Sequence, residues 1–302
     1  MKLIALFAAS ASAFAGAPLK SVQTPAAAGI ETYVRGEGTY SADADYEGKL
    51  DAPGRKGEGS VWSGRFQMGI VKPVSGISLL SNAGGSWQLR LGIDHERFEF
   101  EHNSTLPLPS QLQRIAGVIA LEYRVGKQIG ALIEARPGVH FESDIRSNAW
   151  NCPVLFGMGI PLTDRFTLAL AGRVDPLGRY TIVGGPGFIW KISDTVTLTA
   201  IPPEPRLTWA ASENLDLWLG GEWTGGSFRA DSRTDNRNLS EAVVSYSELR
   251  AGIGASWRSG AWSIETGAGL SLEREWDYHR ADRRFSTDGT APYFKLAARA
   301  EW

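Results

Sequence analysis

The last ten residues of this 302-residue chain carry its most restrictive pattern, because apolar and polar positions alternate along them. They read YFKLAARAEW, from Tyr293 to Trp302. One side carries Phe294, Leu296, Ala298, Ala300 and Trp302, and the other carries Tyr293, Lys295, Ala297, Arg299 and Glu301. Successive side chains of a β-strand point to opposite faces, so this spacing predicts a strand with one apolar and one charged face.

Three further segments repeat the two-residue period. They read WQLRLGID from residue 87, IAGVIALEYRV from residue 115 and WSIETGAGLSL from residue 262. Leu, Ile and Trp recur on one face, while Gly, Ser and mixed charges occupy the other. From about residue 30 onward the pattern predicts no helix. A barrel in lipid needs apolar side chains outside and polar ones inside, so the pattern favours a transmembrane β-barrel over a soluble exported sandwich.

The connections between strands alternate in length, as they do in bacterial barrels. Short turns are predicted at 125–128, 162–165, 192–195, 212–215 and 258–261, and longer links at 42–57, 101–111, 142–149, 175–179, 202–205, 229–240 and 277–290. The predicted strands cover 30–41, 58–71, 86–100, 112–125, 128–141, 150–162, 165–174, 180–191, 195–202, 205–211, 215–229, 241–258, 261–276 and 291–302. With a longer turn at 72–85, the expected fold is all-β: one antiparallel up-and-down barrel of about 14 strands, with 12 as the alternative.

The first residues predict export. A lysine, an apolar run and the small-residue site at 13–15 are the features of a cleaved signal peptide. We therefore expect a signal peptide at 1–15, a short segment at 16–29 and an outer-membrane barrel at 30–302. After the signal peptide the sequence contains no run of 18 apolar residues, so it predicts no helical membrane span.

Composition and motifs argue against several function classes. The chain has 31 basic and 33 acidic residues, so its charge predicts no nucleic-acid partner.

Asp94 and His95 point to opposite faces of a strand and cannot pair, and the other histidines offer no catalytic geometry. Acidic residues occupy alternate positions of 43–48, as in the first half of a calcium-binding loop. Such a loop needs Glu at its twelfth position, where this chain has Gly54, so we predict an acidic surface loop without calcium. The only cysteine, Cys152, permits no internal disulfide. We predict no enzyme activity, no catalytic residue, no cofactor and no metal site.

The segment FKLAARAEW resembles the C-terminal signal of bacterial outer-membrane proteins, in which alternating apolar positions end in an aromatic residue. That family usually ends in Phe, and Trp is a less frequent substitute. The resemblance implies that the barrel assembly machinery recognises Phe294, Leu296, Ala298, Ala300 and Trp302.

A second stretch, LTAIPPEPRLTWAASENLDLWLGGEWTGGSFRAD, is similar to an uncharacterised family of outer-membrane barrels. In that family a strand runs into a Pro-x-Pro-Arg corner, and a hairpin then leads to a Gly-Gly-x-aromatic-Arg ending. Pro203, Pro205 and Arg206 match the corner, and Gly225, Gly226, Phe228 and Arg229 match the ending. The resemblance implies a barrel fold and brings no assigned activity.

The polar face of the predicted strands identifies candidate lumen-lining residues. They are Arg65, Arg90, Asp94, Arg114, Glu122, Arg124, Glu134, Arg136, Arg173, Glu222, Glu248, Arg250, Glu265, Lys295, Arg299 and Glu301. Two interpretations fit this mixture of signs. Charged rings could line a porin-like passive channel for small polar solutes, or cross-strand ion pairs could fill a non-conducting structural or ligand-binding barrel.

Two arginine-bearing links are predicted to form outer loops. They contain Arg229, Arg233, Arg237, Arg280, Arg283 and Arg284. These side chains could bind lipopolysaccharide phosphates, although a solvated loop is the simpler expectation. The predicted partners are therefore outer-membrane lipid, lipopolysaccharide and, during biogenesis, the barrel assembly machinery. The pattern does not specify a substrate or an oligomeric state.

Overall fold

The computed structural model describes residues 30–50, 56–74, 85–103, 107–125, 128–233, 238–278, 280–281 and 283–302. Its strands are β1 (Glu31–Leu50), β2 (Lys56–Val74), β3 (Ser86–His102), β4 (Gln111–Val125), β5 (Gln128–Ala135), β6 (Gly138–Phe141), β7 (Trp150–Asn151), β8 (Val154–Pro161), β9 (Phe166–Val174), β10 (Ile182–Lys191), β11 (Val196–Ala200), β12 (Arg206–Ala210), β13 (Leu215–Arg229), β14 (Val243–Ser259), β15 (Trp262–Tyr278), β16 (Arg283–Thr287) and β17 (Ala291–Glu301). Residues Ser147–Ala149 form a 3-10 turn. Within these ranges no helix has the length and apolar composition of a membrane crossing.

The strands form one closed sheet. Consecutive strands pair antiparallel, and β17 pairs with β1 along Tyr33–Ser41, which closes the barrel. Three wall strands are interrupted, so that β5 with β6, β7 with β8, and β16 with β17 each form one strand of the wall. The 17 segments therefore make a 14-stranded barrel, as the sequence pattern predicted.

Two predicted links contain strand. β1 continues to Leu50 and β2 begins at Lys56, so most of the predicted 42–57 loop is a hairpin. The acidic residues of 43–48 lie on the β1 strand and not in a loop. β16 occupies part of the predicted 277–290 link. Both departures have one cause, because Tyr46 of β1 and Phe285 of β16 are buried in an apolar cluster, which favours their place in the wall.

The wall is uneven in height. β1 to β4 and β13 to β15 have 15 to 20 residues each, whereas β8 to β12 have only 5 to 10. We call the end with the short turns after β8, β10, β12 and β14 the inner end, and the opposite end the outer end. Near the outer end β6 lies beside β13, where Phe141 pairs in parallel with Arg229. The barrel therefore narrows above the short strands.

The half of the barrel next to the inner end, which we call the inner half, has an apolar outer surface. Exposed side chains on its outer face include Ile93, Ile119, Leu170, Leu219, Ile253, Leu270, Phe294 and Leu296. Trp190, Trp209, Trp257, Trp262 and Trp302 are exposed close to the inner end. On β15 the apolar row runs from Trp262 to Leu272. About ten residues at about 3.4 Å each, tilted by about 40°, rise about 25 Å, which matches the apolar band of transmembrane barrels.

The outer half reverses this pattern. On β3 the outer face carries Leu91 and Ile93 and then, without a change of register, His95 and Arg97. The inner face of the same strand changes from Asp94 to buried aromatics. These belong to a packed cluster that we call the cap: Tyr46, Val61, Phe98, Phe100, Leu108, Leu112, Phe228, Ala230, Leu239, Val244, Tyr246, Trp276, Tyr278 and Phe285. An apolar interior with a charged outer surface is the pattern of a protein segment that lies in water.

This architecture is that of an outer-membrane protein. Only a closed barrel satisfies every backbone group of strands placed in lipid, and the apolar belt of the inner half supplies the lipid-facing surface. The predicted fold and location are confirmed. The signal peptide and the segment 16–29 lie outside the described residues.

Candidate functional site

The interior of the inner half holds a network of charges, which we call the interior charge network. Lys295 on β17 contacts Glu222 on β13, and Arg206 on β12 contacts Glu265 on β15. These strands are not neighbours in the wall, so the contacts cross the interior. Strand alternation places the charges here, because the same strands carry their apolar residues on the lipid side.

One centre of the network is Asp94, which is 1% exposed. Its carboxylate accepts from Arg65 Nε at 2.8 Å and from Arg114 Nη2 at 2.6 Å, and Arg136 Nη1 lies 3.6 Å away. Three guanidinium groups from neighbouring wall strands therefore surround one carboxylate. Such a buried charge is stable only with this degree of pairing.

The second centre lies nearer the inner end. Glu134 accepts from Arg136 Nε at 2.5 Å and from Arg90 Nη2 at 2.6 Å. Glu122 lies 3.0 Å from Arg90 and 2.7 Å from Arg124. Arg90 and Arg136 each contact two carboxylates, so this centre and the Asp94 centre form one connected system.

The third centre is Lys295, whose side chain is 1% exposed. Its Nζ lies 3.0 Å from Glu222, 3.4 Å from Glu37 and 3.7 Å from Glu265. Arg206 donates to both carboxylate oxygens of Glu265 at 2.9 Å. One ammonium group thus holds together carboxylates from β1, β13 and β15.

The fourth centre separates the network from the cap. Glu248 is fully buried and accepts from Ser41 at 2.7 Å and from Arg250 at 2.6 Å. Arg274, also fully buried, lies 3.3 Å from it and donates to the Ala42 carbonyl at 2.7 Å. Ser41 of β1 and Arg274 of β15 thus reach Glu248 of β14 from other strands, which fixes the interior just below the aromatic residues.

The structure brings together most of the sixteen sequence-predicted residues. Those that are buried are Asp94, Arg114, Glu122, Glu134, Arg136, Arg173, Glu222, Glu248, Arg250 and Lys295, and those that are half-buried are Arg65, Arg90, Arg124, Glu265 and Arg299. Glu301 is exposed and pairs with Arg299 at the inner end. These last two residues contact no other predicted lining residue by an ion pair or hydrogen bond among the described residues.

Several interior residues were missed by the sequence analysis. They are Arg35, Glu37, Glu96, Asp175, Glu204, Arg206, Asp216, Arg258 and Arg274. The two-residue period of β1 would have identified Arg35 and Glu37, since both share the face of the buried Tyr33. Arg206 was assigned only to the predicted corner. It does follow the Pro203–Pro205 corner between β11 and β12, and it also stacks over Trp218 at 4.3 Å.

A polar cavity of about 50 Å³ lies inside the barrel. Its charged lining residues are Arg35, Arg65, Arg114, Arg136, Arg173, Glu37, Glu96, Glu204 and Glu222. The same cavity is lined by Trp223, Thr224 and Gly225 of β13. A water needs roughly 10–15 Å³ of such volume, so the cavity has room for a few waters. Five arginines and four glutamates give it nearly balanced charge.

The described residues do not group three or more metal-ligating side chains at one place. Asp94 is buried while His95 is exposed, as expected from their opposite faces. His140 is fully buried, and its Nδ1 lies 3.1 Å from the Ser227 carbonyl oxygen. Cys152 is a free thiol between β7 and β8. His279 lies outside the described residues.

The outer connections hold one another by ion pairs. Arg233 Nη2 lies 2.7 Å from Glu142, and Arg146 Nη1 lies 2.8 Å from Glu241. Burial raises the pKa of the Glu142 carboxyl, opposed by the amide of Asp231 and by Arg233. Arg229 donates to the carbonyls of Asn148 and Glu241, and Arg284 pairs with Glu275. Several arginines of the predicted phosphate-binding loops are therefore engaged within the protein, and Arg237 lies outside the described residues.

Comparison with known proteins adds no family. No family model matches the chain, and no curated protein matches it. Similar solved structures include an outer-membrane channel from Pseudomonas putida F1, with 8% identity over 91% of this chain and 96% of that one and a TM-score of 0.47. A TodX monoaromatic hydrocarbon channel mutant shares 10% identity over 92% and 91%, with a TM-score of 0.38. The translocator domain of the autotransporter NalP from Neisseria meningitidis shares 11% identity over 92% and 90%, with a TM-score of 0.34. Similarity at this level carries no functional argument, and the barrel assignment rests on the strand pairing of this chain.

Proposed function

We propose that this protein is a passive outer-membrane channel for small polar solutes, with a narrow conduit that lies below the apolar cap. The observation that carries the proposal is the polar cavity of about 50 Å³ among nine charged side chains inside the inner half. Hydrated solutes require polar walls of this kind.

The charge of the interior constrains the selectivity. Lys295 faces three carboxylates, and Asp94 faces three guanidinium groups. Opposite charges alternate over short distances, so no single sign dominates the field inside the barrel. We therefore propose weak selectivity between cations and anions and a conductance well below that of a wide porin.

A second candidate function is a non-conducting structural or ligand-binding barrel. The cap favours it, because fourteen buried apolar residues fill the outer half. In this alternative the ion pairs brace the interior and do not line a path.

Conductance in planar lipid bilayers decides between the two. Refolded protein is first shown to be a closed barrel by a band that shifts on heating in SDS gels. We expect small, discrete conductance steps from such protein. A heat-shifting barrel that never conducts would contradict the channel and support the structural barrel.

The membrane partners follow from the exterior. Leu296, Phe294 and Trp302 are more than half exposed on the outer face of β17 and are proposed to contact lipid. Ala298 is exposed as well, whereas Ala300 is buried between Val34 and Trp262, its partners in the strand register. We propose that this row serves as the assembly signal and that lipopolysaccharide contacts the charged outer surface.

A further inference from the structure

Part of one edge of β13 has no neighbouring strand among the described residues. The Trp223 amide donates to the Pro203 carbonyl at 2.8 Å, and the Glu142 amide donates to the Arg229 carbonyl at 3.0 Å. Between these two points no strand of the described chain pairs with this edge of β13. His140 contacts the Ser227 carbonyl near the outer limit of the gap. We call the gap at residues 224–226, which ends at the buried Ser227, the β13 window.

The interior cavity extends to this window. Thr224 and Gly225 line the cavity from β13, Pro203 lines it at the inner limit of the window, and Pro153 and Arg173 also line it. Gly225 has a φ of +131°, and a Cβ at this position would lie 2.1 Å from the Tyr246 carbonyl oxygen. Only glycine fits that conformation, so residue 225 places no side chain where the cavity meets the window.

The window lies where the exterior changes from apolar to polar. On β14, Ile253 is exposed on the outer face, and Leu249 is the last large apolar residue before Ser247 and Ser245. Gly225 pairs with Ser247 in the strand register. The window is therefore level with the outer headgroup layer and not with the lipid tails. A polar solute passing there does not have to cross the apolar belt.

The direct path along the barrel axis is filled. Phe98, Phe228, Tyr246 and Trp276 are each at most 2% exposed. Phe98 packs on Tyr246 with ring centroids 5.0 Å apart, and Tyr246 packs on Trp276 at 5.2 Å. Leu108 and Leu239, from outer connections, complete this packing. A close-packed core of this kind leaves no route for a hydrated solute.

We propose that small polar solutes enter and leave the barrel sideways through the β13 window, beneath the cap. This inference rests on the proposed channel function. The interior charge network forms the inner part of the route, the cavity joins it to the window, and the window delivers solutes to the outer headgroup layer. The cap is then a permanent seal rather than a gate.

A cysteine placed at the window tests the route. Replacing Cys152 with Ser removes the only native thiol, and Thr224→Cys is then introduced in that background. A negatively charged methanethiosulfonate reagent transfers a sulfonatoethylthio group to the new thiol, which forms a mixed disulfide and releases methanesulfinate. We expect loss of most of the single-channel conductance on labelling. Glu101→Cys, on the exposed outer face of β3, is the matched control and should be labelled without loss.

A second variant tests the axial alternative. Phe98→Ala opens a void in the cap and should leave the conductance unchanged if solutes pass through the window. Conductance that rises in Phe98→Ala, or that survives labelling of Thr224→Cys verified by mass, would overturn the lateral route. A window thiol that the reagent cannot reach would also overturn it. A heat-shifting Cys152→Ser barrel without any conductance would instead contradict the proposed function itself.

Discussion

Thr32 and Trp302 exchange backbone hydrogen bonds although 270 positions separate them. The Thr32 amide donates to the Trp302 carbonyl at 2.8 Å, and the Trp302 amide donates to the Thr32 carbonyl at 3.1 Å. The Thr32 hydroxyl also donates to the Trp302 carbonyl at 3.1 Å. This pair fastens the inner end of the seam between β1 and β17, and without the seam both strand edges would face lipid unpaired.

The first prediction concerns this seam. Thr32→Pro removes the amide that donates to Trp302 and should lower the temperature at which the barrel loses its compact gel mobility. Thr32→Val removes only the hydroxyl bond, a net loss of about 0.5–1.5 kcal/mol, and should shift that temperature much less. Gel mobility measured over a temperature series compares the two. Equal temperatures for both variants would mean that the backbone bond does not hold the seam.

The second prediction concerns the Asp94 centre. Asp94→Asn leaves Arg65, Arg114 and Arg136 without their shared carboxylate, and removal of one partner from a buried pair costs roughly 3–5 kcal/mol. We expect a reduced free energy of unfolding in a urea titration of the refolded barrel. Asp43→Asn, on the exposed face of β1, is the control and should be close to neutral. An unchanged midpoint for Asp94→Asn would show that the charges are not structurally coupled.

The third prediction concerns selectivity. Lys295→Met leaves Glu37, Glu222 and Glu265 without their shared cation, so the interior becomes more negative. We expect the reversal potential measured in a KCl gradient to move toward the equilibrium potential of potassium. Lys191→Met changes the same residue type on the exposed end of β10 and should leave that potential unchanged. A shift toward the chloride value would contradict the assignment of Lys295 to the solute path.

The fourth prediction concerns the position of the membrane boundary. Spin labels are attached to Ile93→Cys and Arg97→Cys in the Cys152→Ser background, on the same face of β3. The label at 93 should respond to oxygen dissolved in lipid, and the label at 97 to a water-soluble nickel complex. This change over four residues follows from the reversal of the β3 pattern. Two labels that both respond to oxygen would place the outer half in the bilayer.

The sequence was sufficient for the architecture of the inner half. Alternation in segments such as WQLRLGID identified strands to within a few residues, and the alternation of short and long connections predicted 14 of them. It was less informative for the outer half. Within β3 the alternation reverses, with polar His95 and Arg97 outside and Phe98 and Phe100 inside. This reversal is visible in the sequence, but it can be interpreted only once the inner half is placed in lipid.

The amino-acid sequence by itself determined that this chain forms strands with one apolar and one charged face, because a period of two is a local property of the backbone. It also identified candidate interior charges on most strands. Only the tertiary structure decided which charges meet, since Lys295 and Glu222 are on strands that are not neighbours and lie 73 positions apart. The same is true of the cap and the β13 window, because both depend on unequal strand lengths that bring β6 beside β13.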